Sequence, residues 1–163
     1  MILHNLDPVY NENSRVLILG SFPSVRSREE GFFYGHPNNR FWKVLSLVFE
    51  EEIPNDIEKK REFLLRHNIA LWDVIASCDV EGSADVKIKN AVPNDISHIL
   101  SSSGVKTVFL NGKTAEKYYN KYMQDRYSVE RITLPSTSPA NASWSQERLY
   151  GEWKEVKKRA EKE

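Results

Sequence analysis

The sequence predicts an α/β fold in which a parallel sheet is covered on both faces, and three observations carry that expectation. Four short runs rich in β-branched and aromatic residues, at positions 15–20, 69–74, 106–111 and 129–134, are separated by longer stretches of helical character. Strands that alternate with helices need crossover connections, which make the strands parallel. Two of the runs, VLIL and TVFL, are apolar throughout, the pattern of central strands buried on both faces.

The first strand breaks into the turn Gly20-Ser21-Phe22-Pro23-Ser24. A second loop then gathers Phe32, Phe33, Tyr34, His36, Asn38, Asn39, Arg40 and Trp42 around the start of a helix expected over 39–49. Pro37 holds His36 extended, and either asparagine can cap the helix. One cap suffices, so the other amide is free to meet a base edge or a water. A helix over 56–66 leads into the second strand. Val92-Pro93-Asn94-Asp95 supplies the proline and cap residues for a helix over 94–101. The third strand ends in Asn111-Gly112-Lys113 and a helix over 113–122. The fourth opens into Pro135-Ser136-Thr137-Ser138-Pro139-Ala140-Asn141-Ala142. A helix over 145–160 closes the chain, with Leu149, Trp153 and Val156 on its apolar face and Lys157-Lys158-Arg159 as a solvated or phosphate-contacting run.

One domain over residues 1–163 is expected, because 40% hydrophobic residues fill one core and no second composition regime is present. With 23 basic against 23 acidic residues, bulk electrostatics does not attract a polyanion, so nucleic acid would have to be gripped locally. Cys78 is the only cysteine, which excludes an internal disulfide and the cysteine-rich metal sets; a small buried hydrophobe is its expected role. The amino terminus has no basic-flanked apolar core and no run is long enough to span a bilayer, so a soluble cytoplasmic protein is expected.

In open α/β sheets, ligands bind beyond the carboxyl ends of the strands, where loops converge. The loops that start at Gly20, Asn111 and Pro135 meet that rule. The third is uncharged and rich in hydroxyl and amide side chains, suited to phosphate contacts or, alternatively, to capping the last helix through Asn141 or Ser143. Phe32, Phe33 and Tyr34 suit stacking against a planar base or, alternatively, a flap over the core. Asp73 and Asp85 could form a carboxylate pair, but their sequence separation says nothing of proximity, and both read as structural.

Gly20-Ser21-Phe22-Pro23-Ser24, Gly31 through Trp42 and Leu134-Pro135-Ser136-Thr137-Ser138-Pro139 together resemble the uracil-DNA glycosylase superfamily. His36-Pro37-Asn38-Asn39-Arg40-Phe41-Trp42-Lys43 is similar to the helix start of the mismatch-specific uracil glycosylases, and the full pattern is most similar to the hypoxanthine (deoxyinosine) DNA glycosylases. The resemblance runs from about Arg15 to Trp153. It implies a three-layer α/β/α sandwich with a central four-stranded parallel sheet. The implied activity is extrusion of a deaminated base from DNA and hydrolysis of its N-glycosidic bond, by a monomer without metal or cofactor.

Two positions depart from the superfamily pattern. Phe22 stands where several branches carry Asp or Asn, and Leu134 where they carry His or Asn. The resemblance therefore points to Asn39 as the catalytic side chain. It gives Ser21, Phe22, Tyr34 and His36 to the base pocket, although His36 reads equally well as structural. DNA contacts fall to Ser136, Thr137, Ser138, Asn141, Ala142 and Lys113, the last also readable as a solvated lysine. Two other classes remain open: a DNA-binding protein of this fold without catalysis, and a serine hydrolase using Ser21 or Ser24, for which no acid–base partner is evident.

Overall fold

The computed structural model describes residues 1–79 and 88–161. In chain order the strands are β1 (Ile2–Leu3), β2 (Val16–Gly20), β3 (Ile69–Asp73), β4 (Ile75–Asp79), β5 (Lys89–Pro93), β6 (Thr107–Asn111) and β7 (Glu130–Leu134). The helices are α1 (Val25–Glu30), α2 (Phe41–Val48), α3 (Ile57–Arg66), α4 (Ser97–Ser102), α5 (Lys113–Tyr122) and α6 (Gln146–Glu161). Asp85 lies outside the described residues.

The four expected strands form one parallel sheet in the order β3-β2-β6-β7. β2 is wholly buried because it is central and covered on both sides. Its side chains alternate between faces: Val16 and Ile18 join the cluster of α2, α3 and α6, whereas Leu17 and Leu19 join that of α4 and α5. Each such side chain contributes about 1.5–3 kcal/mol of burial. The result is the helix–sheet–helix sandwich. Cys78 is buried in the second cluster.

β1, β4 and β5 add a small antiparallel sheet that the sequence pattern does not show. Only Val74 separates β3 from β4, so the two read as one run, and β5 is a largely exposed edge carrying Lys89, Asn90 and Pro93. Two expected helix starts shift. α4 begins at Ser97, where the Asp95 carboxylate accepts from the Ser97 N–H, while Asn94 is buried and donates to the Asp73 carbonyl. α6 is capped by Ser145, whose Oγ accepts from the Arg148 N–H, and not by Asn141 or Ser143. The short α1 was also unforeseen; Ser24 caps it and Gly31, at φ 80°, ends it in the left-handed region.

Candidate active site

Strand register builds the floor of the site. Gly20 pairs with Asp73, Leu19 with Leu110, and Asn111 with Leu134, so the carboxyl ends of the strands carry Asp73, Gly20, Asn111 and Leu134 in one row. The two-residue period places that row on the face of Val16 and Ile18. Gly20 keeps it open. A Cβ there would lie 2.4 Å from Asp73 Oδ1 and 2.8 Å from the Tyr34 hydroxyl.

The polar groups of the row are tied together. Asn111 Nδ2 donates to the Tyr34 hydroxyl at 3.1 Å and to Thr137 Oγ1 at 3.0 Å, while its Oδ1 accepts from the Thr137 N–H at 3.1 Å. Asp73 Oδ2 lies 2.8 Å from His4 Nε2, and both side chains are almost fully buried. His4 Nδ1 accepts from the Leu6 N–H at 3.3 Å, which assigns the proton to Nε2 and makes His4 the donor to Asp73.

The aromatic loop splits between core and site. Phe32 and Phe33 are buried in the core, as the flap reading had it, and Trp42 Nε1 donates to the Phe33 carbonyl. Tyr34 is half-buried and stacks on Phe41 with ring centroids 4.0 Å apart. Its backbone sits at φ 55°, a conformation that costs a non-glycine residue about 1–2 kcal/mol. Stacking and the Asn111 hydrogen bond hold it there.

Asn39 is half-exposed at the head of α2, and its Oδ1 accepts from the Phe41 N–H at 2.9 Å. This bond lies just ahead of α2, whose N-cap is Arg40 without a side-chain bond, so the expected cap at Asn38 or Asn39 is corrected. With Oδ1 engaged, Asn39 offers the donors of Nδ2. The adjacent Arg40 ties this helix start to the 135–145 loop: its N–H donates to the Thr137 carbonyl at 3.0 Å. Its guanidinium donates to the carbonyls of Trp144 at 2.5 Å and Asn141 at 3.1 Å.

Within that loop Thr137 is fully buried, with its hydroxyl, N–H and carbonyl all used by Asn111 and Arg40. It is a clamp, and the expected phosphate contact is corrected accordingly. Ser136 and Ser138 are partly exposed; their hydroxyls accept from the N–H groups of Ser138 and Ala140 and retain their own protons for donation. Asn141 Nδ2 donates to the Ser136 carbonyl, and Ala142 is exposed at the tip. Beside the loop, the Arg148 guanidinium lies 4.0 Å from the centroid of half-buried Trp144. Lys113 is exposed at the first turn of α5, a cation beside the positive end of a helix, where an anion is favoured.

Ser21 is buried and its carbonyl accepts from the Ile75 N–H. Phe22 packs edge-on to His4, ring centroids 6.0 Å apart, with the Arg28 guanidinium over it. His36 is exposed and its Nδ1 accepts from the Asn38 N–H, a structural contact. Sequence reasoning missed His4, Arg40 and Asn111 and set Asp73 aside. Asn111 was within reach as the polar last residue of an apolar strand; His4 had no signal.

A sheet whose carboxyl edge presents this row beside a pinned asparagine and a hydroxyl-rich loop fits a base-excising enzyme. The chain belongs to the Uracil DNA glycosylase superfamily, whose family model matches residues 8–160. Within it, the chain groups with the hypoxanthine DNA glycosylases. It is 35% identical to a hypoxanthine DNA glycosylase of Methanosarcina barkeri, over 93% of this chain and 96% of the relative. It is 34% identical to one of Methanosarcina acetivorans, over 96% and 98%. A protein from M. acetivorans solved by solution NMR and assigned to the uracil DNA glycosylases superposes with a TM-score of 0.84 at 34% identity, covering 99% of this chain and 100% of that one. The family is one of DNA glycosylases that act on deaminated bases. Among the described residues no cluster of His, Cys, Asp or Glu could hold a metal ion and no helix is long and apolar enough to cross a membrane.

Proposed function

We propose that this chain is a monofunctional DNA glycosylase that releases hypoxanthine from DNA, with uracil and xanthine as further substrates, acting as a monomer without a cofactor. The supporting relatives are the two hypoxanthine DNA glycosylases. The observation that carries the mechanism is the pinned amide of Asn39, whose Oδ1 accepts from the Phe41 N–H.

The target nucleotide is turned out of the duplex, because its glycosidic bond is out of reach while stacked. Tyr34, backed by Phe41, stacks on the extruded base, and the backbone of Ser21 and Phe22 lines its edge. As the glycosidic bond lengthens, positive charge builds on the sugar and negative charge on the base carbonyl. Asn39 Nδ2 donates to that carbonyl, and because Oδ1 is pinned by the Phe41 N–H the donor needs no reorganisation. Removing one such preorganised donor costs about 10²–10³ in rate. Ser136, Ser138 and Lys113 contact phosphates, with Asn141 and Ala142 facing the gap left in the duplex.

The test measures base release from duplexes carrying inosine, uracil or xanthosine, followed by alkaline cleavage of abasic sites. Asn39→Ala is expected to abolish release. Asn39→Asp keeps an acceptor for the Phe41 N–H, so it should fold normally yet lose the donor and at least about 100-fold in rate. Full activity in Asn39→Asp would remove the donor from the mechanism, and wild-type binding to mispairs without strand breaks would favour an inactive reader.

A further inference from the structure

We propose that Asp73 is a second catalytic residue, the base that takes the proton of the attacking water, and that His4 is its positioning residue; this rests on the glycosylase reading above. Phe22 brings no polar group to the end of β2. Among the described residues, the strand-end carboxylate beside it belongs to Asp73, the register partner of Gly20. It is almost fully buried, yet only Oδ2 has a hydrogen-bond partner among the described residues, the Nε2–H of His4. No buried side-chain oxygen among the described residues lacks a partner, so Oδ1 is the part of this carboxylate that reaches the space above the strand ends.

Oδ1 leans over Gly20. It and the Tyr34 hydroxyl both approach the place where a side chain on Gly20 would begin, which sets them no more than about 5 Å apart. Both oxygens therefore border the space over Gly20, and the attacking water is assigned to that space. The edge-on ring of Phe22 and the indole of Trp72, centroids each 6.0 Å from the His4 ring, enclose the donor side of the pair. The carboxylate therefore faces the floor of the site with one oxygen fixed and one open.

In the step, the water oxygen bonds to C1′ of the sugar while the C1′–N bond breaks and its electron pair leaves with the base, whose carbonyl accepts from Asn39. The water's proton passes to Asp73 Oδ1. Solvent then protonates the base anion and takes the proton from Asp73, leaving a 1′-hydroxyl and the free base. Before transfer, the same negative charge also stabilises the developing positive charge on the sugar.

Single-turnover release of hypoxanthine from an inosine duplex is compared across variants. Asp73→Asn, which can still accept from His4, is expected to lose at least about 100-fold in rate while binding an abasic-analogue duplex within about threefold of wild type. Asp73→Ala should recover at least tenfold in sodium formate but not in sodium chloride of equal ionic strength. His4→Phe should slow release about tenfold and His4→Gln, which keeps a donor, should restore it. Release by Asp73→Asn within about threefold of wild type, or an Asp73→Ala defect that formate does not touch, overturns the assignment. If neither Asp73 variant folds, the His4 pair decides: wild-type rates in both overturn it. A wild-type protein silent on every deaminated base refutes the glycosylase reading itself; an active wild type with an indifferent Asp73 refutes only this inference.

Discussion

Placing one methyl group on Gly20 should disturb function more than folding. The new Cβ would stand 2.4 Å from Asp73 Oδ1 and 2.8 Å from the Tyr34 hydroxyl, so the nearer group must retreat by roughly 1 Å to regain van der Waals contact. Neither side chain can simply swing away. Asp73 is held by His4, and Tyr34 by Asn111 and by its stack on Phe41. Overpacking of this kind costs about 1–3 kcal/mol, against which the stiffer unfolded chain returns about 0.4–1 kcal/mol. The expected net destabilisation is about 1–2 kcal/mol, a fall in melting temperature of roughly 2–8 °C for a chain of this size. Displacement of about 1 Å in a positioning group can cost 10²-fold in rate. Gly20→Ala is therefore expected to fold, melt a few degrees lower and release hypoxanthine about 100-fold more slowly. Calorimetry and single-turnover base release measure both. A variant that melts within 1 °C of wild type and keeps its rate within about threefold would refute the reasoning, since the row would then be loose enough to absorb a methyl group.

Arg40→Ala removes two charge-assisted hydrogen bonds to loop carbonyls and should cost about 2–3 kcal/mol in urea denaturation, with Arg40→Lys only partly restoring it because an ammonium does not bridge two carbonyls as a planar guanidinium does. Lys113→Ala should leave stability unchanged or slightly raised and reduce the slope of log affinity against log salt by about 1, read by fluorescence anisotropy on duplex DNA. Away from the site, hydrogen bonding from the Arg66 guanidinium, and after it from His67, holds the Glu51 carboxyl below its ordinary range despite some desolvation. A lowered folded-state pKa stabilises the fold above the ordinary carboxylate value and is lost as pH falls through the lowered one. Glu51→Gln should therefore flatten the acid side of the stability profile, with a change at neutral pH of no more than about 1 kcal/mol because the pair is largely exposed.

The strands that sequence inspection locates best are the ones burial dictates. VLIL and TVFL can only be central, and the helices between them then fix a parallel sheet. The antiparallel sheet escaped because pairing, not composition, creates it: β1 is two residues long and gains its identity from Cys78 and Ser77 across the ladder. That pairing is also what places His4, whose N–H donates to the Ala76 carbonyl at 2.7 Å, so a residue with no local pattern reaches Asp73 at the carboxyl edge of the sheet. Asp73 and Asn111 stand on separate strands, and only the register makes them near neighbours across Gly20. The motif alone nominates Asn39. That its carbonyl oxygen is committed to the helix head, leaving a one-sided donor, required coordinates. Thr137 shows the opposite failure: in a loop of hydroxyl residues, composition suggested a phosphate contact, and burial made it a clamp.

Arg40 makes two remote stretches of chain move as one. Its backbone follows Asn39 directly, and its guanidinium and N–H hold three carbonyls of the 135–145 loop a hundred residues away. A strand of DNA that presses on the loop therefore presses on the asparagine as well, and a loop out of place carries the donor out of place with it. Under the proposed roles of Asn39 and the loop, grip and chemistry share a single mechanical joint, so undamaged DNA that fails to seat the loop meets a donor out of position.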